Sequence, residues 1–332
     1  MTTVVHTDSL SSLAESLVRE IREVSAPFSK VVVALSGGLD STVVLFLCLL
    51  SLGRERVVAC TVDWGEYFPQ KARKQVLFLR EYLRVRHSFL PGKEVLEEIA
   101  RGGPSCNLCT RKAKLQTIRD HFGKDVLIVG GANQSDSWGK RGVKILRNTY
   151  SPLFDLEKRD IEELASFFML PVRRIGESRF REGCLVKHLL KPLVSPYHAE
   201  AVVRSNELLW QILDEEFPER DTANVKVIGP LGKNQALINV RPLPPLTVRE
   251  RVERELASLP EIDEITWIDE PVTLIVRANP GQYHNPETLF WLERGRLQPD
   301  FAFPIRVQWM PSSNRRLRTF QVVECIKGAT PV

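Results

Sequence analysis

The chain is most constrained by a short run near its N-terminal end. Val31-Val32-Val33-Ala34-Leu35 is followed by Ser36-Gly37-Gly38-Leu39-Asp40-Ser41-Thr42, and then by a second apolar run from Val43 to Leu50. That order reads as a buried strand, a tight loop and a helix. Two adjacent glycines let the backbone turn sharply and approach an anion with no side chain in the way. Ser41 and Thr42 add hydroxyls and backbone N–H groups at the start of the helix, where the helix dipole favours negative charge. The common nucleotide loop, G-x-x-x-x-G-K-S/T, is absent from the sequence, and this loop has no lysine to reach terminal phosphates. The anion it suits is pyrophosphate-like.

The flanking pattern extends the strand–helix alternation. Asp8 reads as an N-cap, after which Leu10, Leu13, Leu17, Val18, Ile21 and Val24 recur at helical spacing, predicting an amphipathic helix of about four turns. A second strand spans Arg56 to Val62 and ends at Asp63-Trp64-Gly65. A helix follows from Lys71 to Leu83, then a short strand from Arg86 to Leu90, and a further strand from Asp125 to Val129 that runs into Gly130-Gly131. Strands alternating with helices predict a doubly wound parallel α/β sheet, with the ligand beyond the carboxyl ends of the strands.

Beyond about residue 195 the pattern changes. Residues 198 to 216 read as a helix. The order after it is strand Gln235 to Val240, helix Thr247 to Leu259, strands Glu264 to Ile268 and Val272 to Arg277, helix Pro286 to Arg294 and strand Ile305 to Met310, with a last strand from Thr319 to Ile326. The βαββαβ order predicts an α+β ferredoxin-like domain. The expected division is an N-terminal helix at 1–24, a nucleotide domain at 25–194, a helical linker at 195–225 and the α+β domain at 226–332. The chain has 332 residues, enough for two cores, and its formal net charge of +5 permits an acidic ligand without requiring one. It contains no apolar run of about 18 residues and no basic-then-apolar leader pattern, so a cytoplasmic protein with no membrane partner is expected.

Six cysteines stand at positions 48, 60, 106, 109, 184 and 325. Cys48 and Cys60 lie inside apolar runs and read as core residues, and Cys325 reads as structural within the terminal strand. Cys106-Asn107-Leu108-Cys109 sits in a polar segment opened by Gly102-Gly103-Pro104, and Cys184 follows the polar stretch Arg179 to Gly183. Two thiolates three positions apart can ligate one metal, although zinc, a redox dithiol and coincidence all stay open for a lone C-x-x-C.

The Ser36–Thr42 loop after a buried strand resembles the SGGxDS signature of the PP-loop ATP pyrophosphatases, which cleave ATP between the α and β phosphates and activate a substrate oxygen by adenylylation. The resemblance covers roughly residues 25 to 190. Within that superfamily the three polar cysteines look similar to those of iron–sulfur-dependent tRNA thiolation enzymes. Pro104 to Arg111 and Ser151-Pro152-Leu153 look closer to stretches of the ATP-dependent sacrificial sulfur transferases. The resemblance implies an ATP-binding set of Ser36, Gly37, Gly38, Asp40, Ser41, Thr42, Asp63, Gly131, Asn133 and Asp136, with Asp40, Ser41 and Cys184 catalytic. It implies ATP, Mg²⁺ and a 4Fe–4S cluster on Cys106, Cys109 and Cys184, with zinc as the alternative metal.

The implied activity is sulfur transfer to a small molecule or cofactor precursor, with tRNA as the other acceptor and a donor protein or sulfide as the sulfur source. A homo-oligomer is left open. One departure stands out: these families show Gly-x-Asn-x-Asp-Asp after the fourth strand, whereas this chain has Gly131-Ala132-Asn133-Gln134-Ser135-Asp136. Lys187 and His188 could offset phosphate charge, and Arg315, Arg316 and Arg318 could meet RNA phosphates. Two other readings stand beside sulfur transfer. One is an amidating or nitrile-forming synthetase with structural zinc, because Asp63-Trp64-Gly65-Glu66 resembles a stretch of the deazaguanine nitrile synthases. The other is a non-catalytic RNA-binding protein on a nucleotide fold.

Overall fold

A computed structural model describes residues 2–135, 142–178, 184–284, 286 and 301–328. Its first half is built on one sheet of six strands. These are β1 (Lys30–Ala34), β2 (Val57–Asp63), β3 (Arg86–Pro91), β4 (Val126–Val129), β5 (Ile145–Leu146) and β6 (Thr149–Tyr150), in the order β3-β2-β1-β4-β6-β5. Every pairing is parallel except β5 with β6. The strands β1, β2 and β4 are almost wholly buried and read as unbroken Val/Ile/Leu runs because helices cover both faces.

The helices of this half are α1 (Thr2–Ser25), α2 (Leu39–Leu52), α3 (Gln70–Leu83) and α4 (Lys93–Ala100). After them come α5 (Cys106–Leu108), a π-helical segment (Cys109–Gln116), α6 (Thr117–Phe122) and α7 (Lys158–Phe167). Helix α2 is apolar nearly all round because α1 and α7 pack on it while it lies on the sheet. Ala14, Leu17 and Ile21 of α1 join that core. The helix α1 begins at Thr2, so Asp8 lies inside it and is not its cap. Seven residues more of helix form than the capping signal predicts, because a helix start is only weakly fixed by one polar residue.

The second half differs from the expected single sheet. Helix α8 (Pro196–Glu216) is followed by β7 (Thr222–Ile228), β8 (Gln235–Arg241), α9 (Leu246–Ala257), β9 (Glu264–Trp267), β10 (Val272–Ala278), α10 (Pro280–Tyr283), β11 (Ile305–Pro311) and β12 (Phe320–Lys327). They form two three-stranded sheets, β7-β8-β9 and β11-β10-β12, where a ferredoxin-like domain would have one. The strand β7 falls partly in the segment expected to be a helical linker. It pairs antiparallel with β8 over Thr222–Ile228 and so takes an edge of that sheet. β10 is joined by β12 on one side and β11 on the other, which leaves β9 to the first sheet. The helix expected from Pro286 to Arg294 lies, past residue 286, outside the described residues. Among the described residues no helix is long and apolar enough to cross a membrane.

Candidate active site

Because β1, β2 and β4 run parallel, the loops that leave their carboxyl ends gather at one edge of the sheet. The loop after β1 turns at Gly37, whose φ is +83°, and a Cβ there would come within 3.2 Å of Val76 Cγ2 in α3. Gly38 is the N-cap of α2 and no side chain caps the helix, so its first backbone N–H groups face out of the helix start as anion donors. The hydroxyls fix the loop. Ser41 Oγ donates to Gly38 O at 3.1 Å and accepts from the Ser36 N–H at 3.2 Å. Ser36 Oγ lies 3.1 Å from Ser41 Oγ, and Thr42 Oγ1 donates to Gly38 O at 2.8 Å. The cradle is thus organised before any phosphate arrives.

The loop after β4 closes on this cradle. A Cβ on Gly131 would stand 2.9 Å from Asp40 Cβ and 3.2 Å from the Ser41 nitrogen, so only glycine lets the two loops approach so closely. Asn133, buried, accepts the Ser135 N–H on Oδ1 at 2.9 Å and donates to Gly131 O at 3.2 Å; its role in the fold is to shape that loop. Asp136 lies outside the described residues. Ser135, standing where an acid was expected, accepts the backbone N–H of Lys158 at 2.9 Å.

Lys158 is the residue that sequence reasoning missed. It opens α7, and its Nζ sits 2.6 Å from Asp40 Oδ1. The ion pair neutralises a carboxylate that would otherwise repel a polyphosphate beside the loop. A signal was present: Lys158 and Arg159 occupy the first two positions of a helix, where the dipole disfavours cations unless an anion is near. Asp63, at the end of β2, has a second missed partner. Arg73 Nη2 forks to its two oxygens at 2.7 and 2.8 Å, and Asp63 Oδ1 also accepts the Gly65 N–H at 3.0 Å. The Arg73 guanidinium lies 5.6 and 5.3 Å from the Phe68 and Phe89 ring centroids, so Asp63 is held rigidly.

The structure sets Cys109 beside Cys184. Cys109 and Cys184 pack against one apolar cluster that includes Tyr67, Leu96 and Val186, while Cys106 is exposed at the start of α5. Among the described residues no group of three or more His, Cys, Asp or Glu side chains is placed to hold a metal ion. Burial, reinforced by the neighbouring Cys184, pushes Cys109 up to about 12. Burial likewise raises Cys48 and Cys60 to about 12, as core thiols should be.

Lys187 pairs with Glu177, a carboxylate only 1% exposed, which also accepts Asn224 Nδ2 at 3.2 Å and lies 3.8 Å from His188. These groups tie the segment after Cys184 to β7, so the phosphate role drawn for Lys187 gives way to a buried network. Trp267 is buried with the Arg249 guanidinium 5.0 Å from its ring, a packing position and not a base-stacking one.

Comparison with known proteins agrees with the nucleotide half and corrects the chemistry. Residues 10–115 match the family model described as NAD synthase. Among curated proteins the chain is similar to the NH(3)-dependent NAD(+) synthetase of Archaeoglobus fulgidus, 26% identical over 162 residues that cover 45% of this chain and 63% of that protein. It is also similar to the enzymes of that name from Chlorobaculum tepidum, 26% identical over 158 residues (45% and 57%), and Wolinella succinogenes, 29% identical over 172 residues (48% and 66%). The chain thus spans less than two thirds of the length of the first relatives it matches. With the SGGxDS loop and the parallel sheet, the matches support the PP-loop superfamily for the nucleotide half.

They overturn sulfur transfer. Each of these relatives is named for making NAD⁺ with ammonia, and none for moving sulfur. The iron–sulfur cluster, the sulfur donor, the small-molecule sulfur acceptor and the tRNA acceptor fall with it, as does the sulfur-carrying role of Cys184. A C-x-x-C and one distant cysteine occur by several routes, and here they pointed to the wrong branch of the superfamily.

Proposed function

We propose that this chain is an ATP-dependent, AMP-forming ligase that adenylylates a carboxylate and releases the acyl group to ammonia as an amide. The observation that carries the reading is the lysine-free Gly-Gly cradle at the start of α2, closed by Gly131 and charge-balanced by Lys158, inside a region matching NAD synthase. Making NAD⁺ with ammonia forms a carboxamide from the corresponding carboxylate, so the deamidated dinucleotide is the first acceptor to test.

In this reading the uncapped N–H groups of α2 hold the departing pyrophosphate, and the Ser36–Ser41 hydroxyl pair keeps the loop rigid as charge develops there. Lys158 keeps Asp40 from opposing the phosphates. Mg²⁺ suits the oxygen donors present: the Asp40 carboxylate would hold it together with phosphate oxygens and water, and the ion would neutralise polyphosphate charge. The rigid clamp of Asp63 by Arg73 at the adjoining strand end supports a role for Asp63 in orienting the adenosine. A nucleotide substrate supports a cytoplasmic setting.

The test is incubation with ATP, Mg²⁺, ammonium and nicotinic acid adenine dinucleotide. AMP, pyrophosphate and NAD⁺ in equal amounts support the reading. ATP consumed to ADP and phosphate would refute it.

A further inference from the structure

A cavity of about 1260 Å³ that shares no lining residue with the cradle lies between the end of α4 and the β11–β12 connection. Five arginines line it: Arg101 after α4, Arg277 on β10, and Arg315, Arg316 and Arg318 on the connection. Among the described residues Glu98 and Glu324 are the only carboxylates in its lining, so the described wall is net cationic. Arg101, exposed at the C-cap of α4, makes one long ion pair, 3.9 Å to the half-buried Glu97, while Arg277, Arg315, Arg316 and Arg318 make none among the described residues.

The connection is held in shape. Arg318 N–H donates to Gly102 O at 2.8 Å, Ser312 N–H to Ala278 O at 3.0 Å, and Leu317 N–H to Asn314 O at 3.1 Å, while Asn314 Oδ1 accepts the Arg316 N–H at 3.0 Å. Leu317 is buried beneath the turn, and a Cβ on Gly102 would come 3.1 Å from Arg318 Cδ, so the glycine makes room for the arginine stem. Several guanidiniums held at one concavity cost folding energy through mutual repulsion unless an anion offsets them, and their planar forks match phosphate oxygens two at a time.

We infer that this cleft binds a compact small molecule carrying at least two phosphoryl groups, at a site separate from the ATP cradle. The size is near that of small-ligand sites. The described lining contains no aromatic side chain, and single-stranded RNA recognition relies on stacking of bases on aromatic rings, so the phosphates and not bases are what the walls address. The site does not depend on amide formation at the cradle.

Inorganic tripolyphosphate is the probe, and hydrogen–deuterium exchange of the full chain reports where it binds. Protection is expected over residues 312–318, separately from any protection over 36–42. In the Arg315→Ala/Arg316→Ala/Arg318→Ala variant the 312–318 protection should need about tenfold or more ligand, while that over 36–42 is unchanged. Arg277→Ala, on a different element, should weaken the same protection. Absence of protection over 312–318 in the wild type, or protection unaltered in both variants, would overturn the site. Protection of 312–318 by single-stranded RNA at a lower phosphate concentration than tripolyphosphate would overturn the small-ligand assignment. Loss of 36–42 protection alone would count against the cradle and not against the cleft.

Discussion

Adding one methyl group at Gly131 tests whether the two loops of the cradle meet as described. The new Cβ would lie 2.9 Å from Asp40 Cβ, 3.1 Å from the Asp40 carbonyl carbon and 3.2 Å from the Ser41 nitrogen, two of them backbone atoms that cannot rotate away. Overpacking of this kind costs about 1–3 kcal/mol. The neighbouring Gly130 is a built-in control: a Cβ there meets nothing within 4 Å, and its φ is not in the left-handed region. Gly130→Ala should therefore be neutral or stabilising by about 0.4–1 kcal/mol, because alanine restricts the unfolded chain. Urea denaturation of the two variants should separate them by roughly 1–4 kcal/mol. Calorimetric titration with ATP should show Gly131→Ala weakened by about tenfold or more, since the displaced atoms include the start of α2, where the phosphate donors lie. Equal stabilities for the two variants, or undiminished ATP affinity in Gly131→Ala, would refute the close approach.

Lys158→Ala should cut AMP formation by about tenfold to a hundredfold by leaving Asp40 uncompensated beside the phosphates, with Lys158→Arg recovering part of it; a rate within twofold of wild type would remove Lys158 from the site. Thiol labelling at neutral pH should modify exposed Cys106 first, leave Cys109 slow because burial holds its pKa near 12, and spare Cys48 until unfolding; rapid labelling of Cys109 would contradict its burial. Lys191, 1% exposed, donates to Pro230 O and Lys233 O, and burial lowers its pKa to about 8. The unfolded chain then binds more protons between about pH 8 and 10.4, so Lys191's burden on stability is full below pH 8 and lifts as pH rises, by on the order of 3 kcal/mol. Replacing it in Lys191→Met should flatten that rise in denaturation midpoint, and an unchanged slope would reject the shift.

The nucleotide half was legible because its signals are local. Val31 to Thr42 specify strand, turn and helix within twelve residues, and the Gly130-Gly131 break after β4 announces a loop at the same sheet edge. Partners distant in sequence were not legible. Lys158 meets Asp40 across 118 positions, and that contact exists only once α7 has docked on α2. Arg73 is closer to Asp63 in sequence, yet its fork depends on Phe68 and Phe89 fixing the guanidinium. In the second half the order of strands was nearly right and their pairing was wrong. Alternation marks which residues form a strand but not which neighbour it takes, so β9 and β10 were assigned to one sheet when β8 takes β9 and β11 and β12 take β10. The cysteines misled for a related reason: the polar sequence around them suggested metal-ligating thiolates, whereas the fold packs Cys109, half-buried, against the cluster of Tyr67 and Leu96.

Amide formation through an adenylate is tested most directly by isotope transfer. The carboxylate of nicotinic acid adenine dinucleotide is labelled with ¹⁸O and incubated with the protein, ATP, Mg²⁺ and ammonium, and the phosphorus resonance of AMP is read. Attack of the carboxylate oxygen on the α phosphate leaves one labelled oxygen in AMP for each amide formed, and this is the predicted result. Amide formed with unlabelled AMP, release of ADP and phosphate, or no turnover of this acceptor would contradict the proposed reaction.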